Sequence, residues 1–174
     1  GAGRGLRGLA FGDDRVYIAG ASELFSFAPD FALLGVHSSP YLGHAQAVAC
    51  FEGRIYAVSA AYDAVLAFDL QSGRFDWGLQ LVDGDSGLRG IPFDPQGTLG
   101  PPPSRDLRLN SLHCDSRGLF IGGGRTMGLL HFDEPFAKLM NHGMLLNHIY
   151  YTRNAKGGKD YVPPTEVKPT HDAA

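Results

Sequence analysis

A threefold internal repeat constrains this chain more than any other feature of its sequence. The copies read LAFGDDRVYIAGASELFSFAPDF from Leu9, VACFEGRIYAVSAAYDAVLAFDL from Val48 and LHCDSRGLFIGGGRTMGLLHFDEPF from Leu112. Arg15-Val16-Tyr17 returns as Arg54-Ile55-Tyr56 after 39 residues, and Phe27 returns as Phe68 after 41. The step to the third copy is 64, where Gly118-Leu119-Phe120 and Phe132 take the same places. Within each copy the apolar residues alternate with the period of a strand. Val16 and Ile18 oppose Tyr17, as Ile55 and Ala57 oppose Tyr56. Asp13-Asp14, Glu52-Gly53 and Asp115-Ser116-Arg117-Gly118 supply the first turn of each copy, and Gly20, residues 59–61 and residues 122–124 the second. No segment carries a sustained helical period with caps, so the chain is expected to be all-β.

Several short strands repeating near forty residues predict a β-propeller of four-stranded antiparallel blades. Blades are expected over residues 8–43, 44–82 and 107–146. The tail Thr170-His171-Asp172-Ala173-Ala174 resembles Gly43-His44-Ala45-Gln46-Ala47 and reads as the first strand of a fourth blade, residues 170–174. Closed propellers have about 4–8 blades. A partial propeller of three blades and a strand leaves an edge at each end. The favoured reading is a fragment of a longer chain, and the alternative is a self-assembling partial propeller. Residues 83–106 and 147–169 break the rhythm and are expected as inserted loops between blades. The first is too dense in Gly and Pro to be expected as a regular strand. Such crossings reach the face near the central channel, and long loops on a rigid scaffold are where function concentrates.

Composition narrows the function classes. A net charge of -3 with scattered Lys and Arg gives no basic face for nucleic acid. No apolar run reaches the eighteen or so residues that span a bilayer, and the opening GAGRGLRG has no apolar core of a signal peptide. Compartment is left open. Cys50 and Cys114 stand 64 residues apart, at equivalent places on neighbouring blades. That separation disfavours a disulfide, and both read as small buried hydrophobes.

The second copy contains Ala67-Phe68-Asp69-Leu70-Gln71-Ser72-Gly73-Arg74-Phe75-Asp76-Trp77. This resembles the repeat of quinoprotein-like propellers, A-x-D-x-x-[ST]-G-x-x-x-W. The resemblance implies that Asp69 and Ser72 close a turn, Gly73 takes positive φ and Trp77 docks on a neighbouring blade. It implies an architecture and no quinone site, because nothing matches the cofactor site of the quinone-dependent members.

Polar residues at the openings of the innermost strands carry the candidate chemistry. Arg7, Gln46 and Asn110 are equivalent by the offsets 39 and 64, and His44 pairs with His171. A ring of Arg7, His44, Gln46, Asn110, His171 and Asp172 around one axis offers the groups to bind one divalent cation or an anionic ligand. The arrangement resembles calcium-dependent lactonase and gluconolactonase propellers. By that resemblance Asn110 and Asp172 are the candidate metal ligands. His113 stands where the other copies have Ala10 and Ala49. A titratable group in a small-residue slot is a catalytic candidate beside His171 and Asp172, and it serves equally as a core histidine. Two function classes follow. The first is a binding or scaffold propeller that recognises a protein partner or small ligand on its loop-bearing face. The alternative is a metal-dependent hydrolase or lyase working in the channel.

Overall fold

The computed structural model describes residues 5–12, 14–84, 87–126 and 128–132, with the backbone of 150–153 and 159–162. All regular structure among them is β, and every sheet is an antiparallel meander. The chain divides into two compact units, Gly1–Met144 and Leu145–Ala174.

In the first unit the three repeat copies become three sheets. The first joins β1 (Arg7–Phe11), β2 (Val16–Ala19), β3 (Glu23–Phe27) and β4 (Leu33–Ser38) in sequence order. The second joins β5 (Ala45–Phe51), β6 (Arg54–Ser59), β7 (Ala64–Asp69), β8 (Arg74–Gly84) and β9 (Gly87–Phe93). The third joins β10 (Leu109–Asp115), β11 (Gly118–Gly123) and β12 (Leu130–Phe132). The segment expected to hold its fourth strand lies outside the described residues. First strands lie side by side, with β5 between β1 and β10. The sheets stack face to face as blades of a partial propeller.

Two apolar layers hold the stack together. Between the first and second blades, Ala10, Tyr17, Ala19 and Leu24 meet Val48, Ile55, Ala57, Leu66 and Phe68. Between the second and third, Tyr56, Val58, Val65 and Ala67 meet Leu112, Cys114, Leu119, Ile121 and Leu130. The central strands β6 and β7 of the second blade are buried on both faces and read as continuous apolar runs. Glu52 and Gly53, with φ of 45° and 72°, form the two-residue turn between β5 and β6.

The turn that follows β7 takes the shape its residues imply. The Ser72 amide donates to Asp69 Oδ1 at 2.6 Å, Gly73 sits at φ 67°, and Trp77 packs against the second apolar layer. Cys114 is a buried free thiol. Burial pushes the Cys114 thiol up to about 11, as befits an apolar site.

One expectation fails. Residues 83–106 are not wholly a loop, since β8 runs to Gly84 and turns into β9, a fifth strand on the second blade. Pro92 is tolerated because β9 is the edge strand, where a missing N–H breaks no interior ladder. Gly78, opposite Phe93, leaves the space that the Phe93 ring fills.

The second unit contains part of the other expected insertion, residues 147–169. There β13 (Tyr150–Arg153) and β14 (Lys159–Val162) pair as an antiparallel hairpin, Tyr150 opposite Val162 and Arg153 opposite Lys159. Residues 170–174 lie outside the described residues.

Candidate functional site

Each first strand of a blade enters through the same two irregularities. Gly5, His44 and Arg108, spaced by the repeat offsets 39 and 64, all have left-handed φ, at 69°, 49° and 52°. Just beyond, the pairing with the second strand shifts register, between Arg7 and Leu9, Ala45 and Val48, and Leu109 and Ser111. The left-handed conformation costs an ordinary side chain about 1–2 kcal/mol. Glycine escapes that cost, whereas His44 and Arg108 bear it, and strain of this kind concentrates at ligand sites. The bulges re-aim the side chains that follow.

The consequence is a polar cleft of about 450 Å³ where the second and third blades open. His44, Gln46, Arg105, Arg108 and Asn110 line it, with Ala60 and Leu109. Arg7 joins from the first blade, where its Nη1 donates to Gln46 Oε1 at 2.8 Å. Gln46 Nε2 donates in turn to the His44 carbonyl at 3.1 Å, which fixes the amide between its neighbours. No carboxylate among the described residues forms an ion pair with Arg7, Arg105 or Arg108. The cleft is therefore rich in donors and net cationic.

A buried carboxylate holds this rim in place. Asp63 is 0% exposed, with φ 44°. Its Oδ2 accepts from the Ser104 hydroxyl at 2.9 Å and the Leu107 amide at 3.0 Å, and its Oδ1 from the Leu109 amide at 3.4 Å. Gln80 reinforces the same crossing by donating to the carbonyls of Tyr62 and Pro102, each at 3.0 Å. Farther back, the hydroxyls of Ser39 and Tyr41 donate to the carbonyls of Pro95 and Gly97 at 3.1 and 3.0 Å. The segment from β9 to β10 is thus a stapled strap, and Arg105 and Arg108 flank its anchor.

Of the residues expected at the site, His44, Gln46 and Asn110 share the cleft and Arg7 contacts it through Gln46. His171 and Asp172 lie outside the described residues. His113 does not join them. It lines a separate cleft of about 360 Å³ on the outer face of the third blade, with Ser111, Leu112, Arg117, Phe120 and Leu129. Its Nε2 lies 3.3 Å from Asp115 Oδ2, and Arg117 Nη2 donates to the same oxygen at 2.6 Å. The Arg117 guanidinium holds the Asp115 carboxyl well below the usual carboxylate range. Phe120 stacks on His131 at 4.3 Å with Arg117 over the ring at 5.4 Å. Among the described residues, no group of three or more His, Cys, Asp or Glu side chains is placed to hold a metal ion.

Sequence reasoning missed Arg105, Arg108 and Asp63. The signal for Arg108 was present, because it stands 64 residues after His44. Asp63 offered none, since a lone Asp beside a turn reads as exposed.

No family model matches the chain. A 49-residue stretch is 63% identical to the leucine--tRNA ligase of Variovorax paradoxus (strain S110) and 57% identical to that of Bordetella petrii. Each match covers 28% of this chain and 6% of the ligase. Among solved structures, Myxococcus xanthus glutaminyl cyclase is similar over 74% of this chain and 47% of its own, with 14% identity and a TM-score of 0.48. The computationally designed Ika4 protein is similar over 75% of this chain and 93% of its own, with 12% identity and a TM-score of 0.45. No helix among the described residues is long and apolar enough to cross a membrane.

Proposed function

We propose that this chain is a propeller-type binding module whose cleft takes a small anionic ligand, one bearing a carboxylate or phosphate. The observation that carries the reading is the pairing of Arg105 and Arg108 with His44, Gln46 and Asn110 around one opening. An anion there meets guanidinium donors and an imidazole, with amides to fix its orientation. Asp63 holds the backbone on both sides of the arginines, so little ordering remains to be done on binding. The Asp69–Ser72 turn and Trp77 support kinship with quinoprotein-like propellers. The matched stretch, at 6% of a ligase's length, supports no aminoacylation reading for the whole chain.

Titration with inorganic phosphate and with citrate, followed by calorimetry and by thermal shift, tests the proposal. Saturable binding that weakens with salt is expected. Arg108→Ala should weaken it at least about tenfold, the loss of one charge-assisted hydrogen bond. Absence of binding to either anion at millimolar concentration, or binding indifferent to Arg105→Ala and Arg108→Ala together, overturns it.

A further inference from the structure

Hydrogen-bonding capacity in the cleft is lopsided. Arg105 and Arg108 can only donate, and neither guanidinium has a partner among the described residues. Gln46 by itself is ambivalent, with an oxygen that accepts and a nitrogen that donates. Its two neighbours remove the ambivalence. Arg7 can only donate, and its Nη1 engages Gln46 Oε1 at 2.8 Å. The His44 carbonyl can only accept, and it takes an N–H of Gln46 Nε2 at 3.1 Å. A flipped amide would set nitrogen against guanidinium and oxygen against carbonyl. Gln46 therefore meets the cleft with its oxygen engaged and its second N–H to give. Among the other lining side chains, only Asn110 and a neutral His44 ring can accept. Arg7, Gln46 and Asn110 are repeat equivalents on first strands that lie side by side, so Gln46 stands between the other two.

Charge narrows the ligand in the same direction. A cleft of about 450 Å³ is roughly 10 Å across, comparable with the Debye length of about 8 Å at physiological salt. The two guanidiniums that line it are thus incompletely screened from each other. One negative charge compensates one of them, whereas two charges on a single group compensate both. A phosphomonoester combines close to two charges near neutral pH with three strongly accepting oxygens, and a carboxylate brings one charge and two oxygens.

Resting on the anion site proposed above, we propose that its ligand is a phosphomonoester dianion and that Arg7 is a positioning residue, selecting the phosphate by holding Gln46 as a donor. Arg105 and Arg108 take the charge, and Gln46 Nε2 adds a neutral donor. The accepting atoms of Asn110 and His44 are left for hydroxyl groups on the body of the ligand.

Calorimetry at pH 8 with methyl phosphate, dimethyl phosphate, succinate and acetate, on the chain as it stands, tests both parts. Methyl phosphate should bind about tenfold or more tightly than dimethyl phosphate or succinate, the difference of one charge-assisted hydrogen bond. Equal affinity for the two phosphates, lost when Arg105 and Arg108 both become Ala, overturns the dianion and leaves an anion site standing. Succinate matching methyl phosphate overturns the phosphate. Binding of none of the four overturns this proposal and the anion site together.

Arg7 is exposed, so Arg7→Met should leave the melting temperature unchanged. It should weaken methyl phosphate binding about tenfold, and Arg7→Lys, which keeps a donor-only charge, should recover most of the loss. A double-mutant cycle separates positioning from contact: in a Gln46→Met background, Arg7→Met should cost no more than about twofold. A full tenfold loss in that background would mean that Arg7 acts on the ligand directly, and overturns the positioning role.

Discussion

Replacing Asp63 by Ala removes a fully buried carboxylate and leaves the donors it satisfied without their acceptor. The Leu107 and Leu109 amides belong to residues that are 4% and 0% exposed, so water cannot substitute easily. A buried donor left unpaired costs about 1–3 kcal/mol. Leu109, bonded at 3.4 Å, belongs at the low end of that range, and Leu107, at 3.0 Å, near its middle. The Ser104 hydroxyl keeps a second acceptor in Asp106 Oδ2 at 3.3 Å and loses least. Relief of the carboxylate's own desolvation offsets part of the loss. The left-handed φ of Asp63, which Asp tolerates better than Ala, adds to it. A net destabilisation of about 2–4 kcal/mol is expected. Asp63→Asn keeps one acceptor oxygen and should lose roughly half as much. Urea unfolding followed by the fluorescence of Trp77, the single tryptophan, measures both, because Trp77 packs in the adjacent apolar layer. A loss below about 1 kcal/mol for Asp63→Ala, or equal losses for the two variants, would refute the account of a satisfied buried carboxylate.

The other expectations concern titratable groups. His37 packs against Phe68 with ring centroids 4.4 Å apart, and burial, followed by the nearby Arg15 charge, lowers its pKa. A depressed folded pKa means that the unfolded chain takes up the proton first. The His37 contribution is therefore complete above the ordinary histidine value of about 6.5 and lost as pH falls through the folded value. His37→Phe should flatten that part of the stability–pH curve, as thermal melts at successive pH values would reveal; an unchanged curve refutes the assignment. Cys114, with its thiol pushed up to about 11, should resist alkylation by iodoacetamide at pH 8 in the folded protein. Mass spectrometry of digested protein should find it modified only after unfolding, and rapid labelling in the native state would contradict its burial.

Much of the architecture was legible because repetition amplifies weak signals. One alternating run is ambiguous between strand and buried helix, but three at matched offsets are not. The blade faces could be assigned the same way: Tyr17, Tyr56 and Phe120 hold equivalent places by the offsets 39 and 64, and Tyr17 and Tyr56 each pack against the following blade. β9 was hidden because Pro92 and four glycines between Gly84 and Gly97 score against strand, while an edge position removes the penalty. Of the candidate ring, register brought out Gln46 and Asn110, since bulges recur with the repeat. Arg105 was not legible, because it sits on the strap between the second and third blades, which has no counterpart in the crossing from the first blade to the second. His113 shows the reverse: register placed it in a packing slot, but its side chain is largely exposed, so packing says nothing of its chemistry.

The left-handed residues at the blade openings have an implication for how sites arise on such scaffolds. Gly5, His44 and Arg108 share a backbone conformation and differ in everything else. Duplication therefore copies a socket rather than a residue. Each blade inherits a position already turned toward the opening, and substitution at that position alone can change what the module recognises without disturbing a strand. A chain of this kind acquires new ligands by rewriting one side chain per blade, and the number of blades sets how many letters it can write.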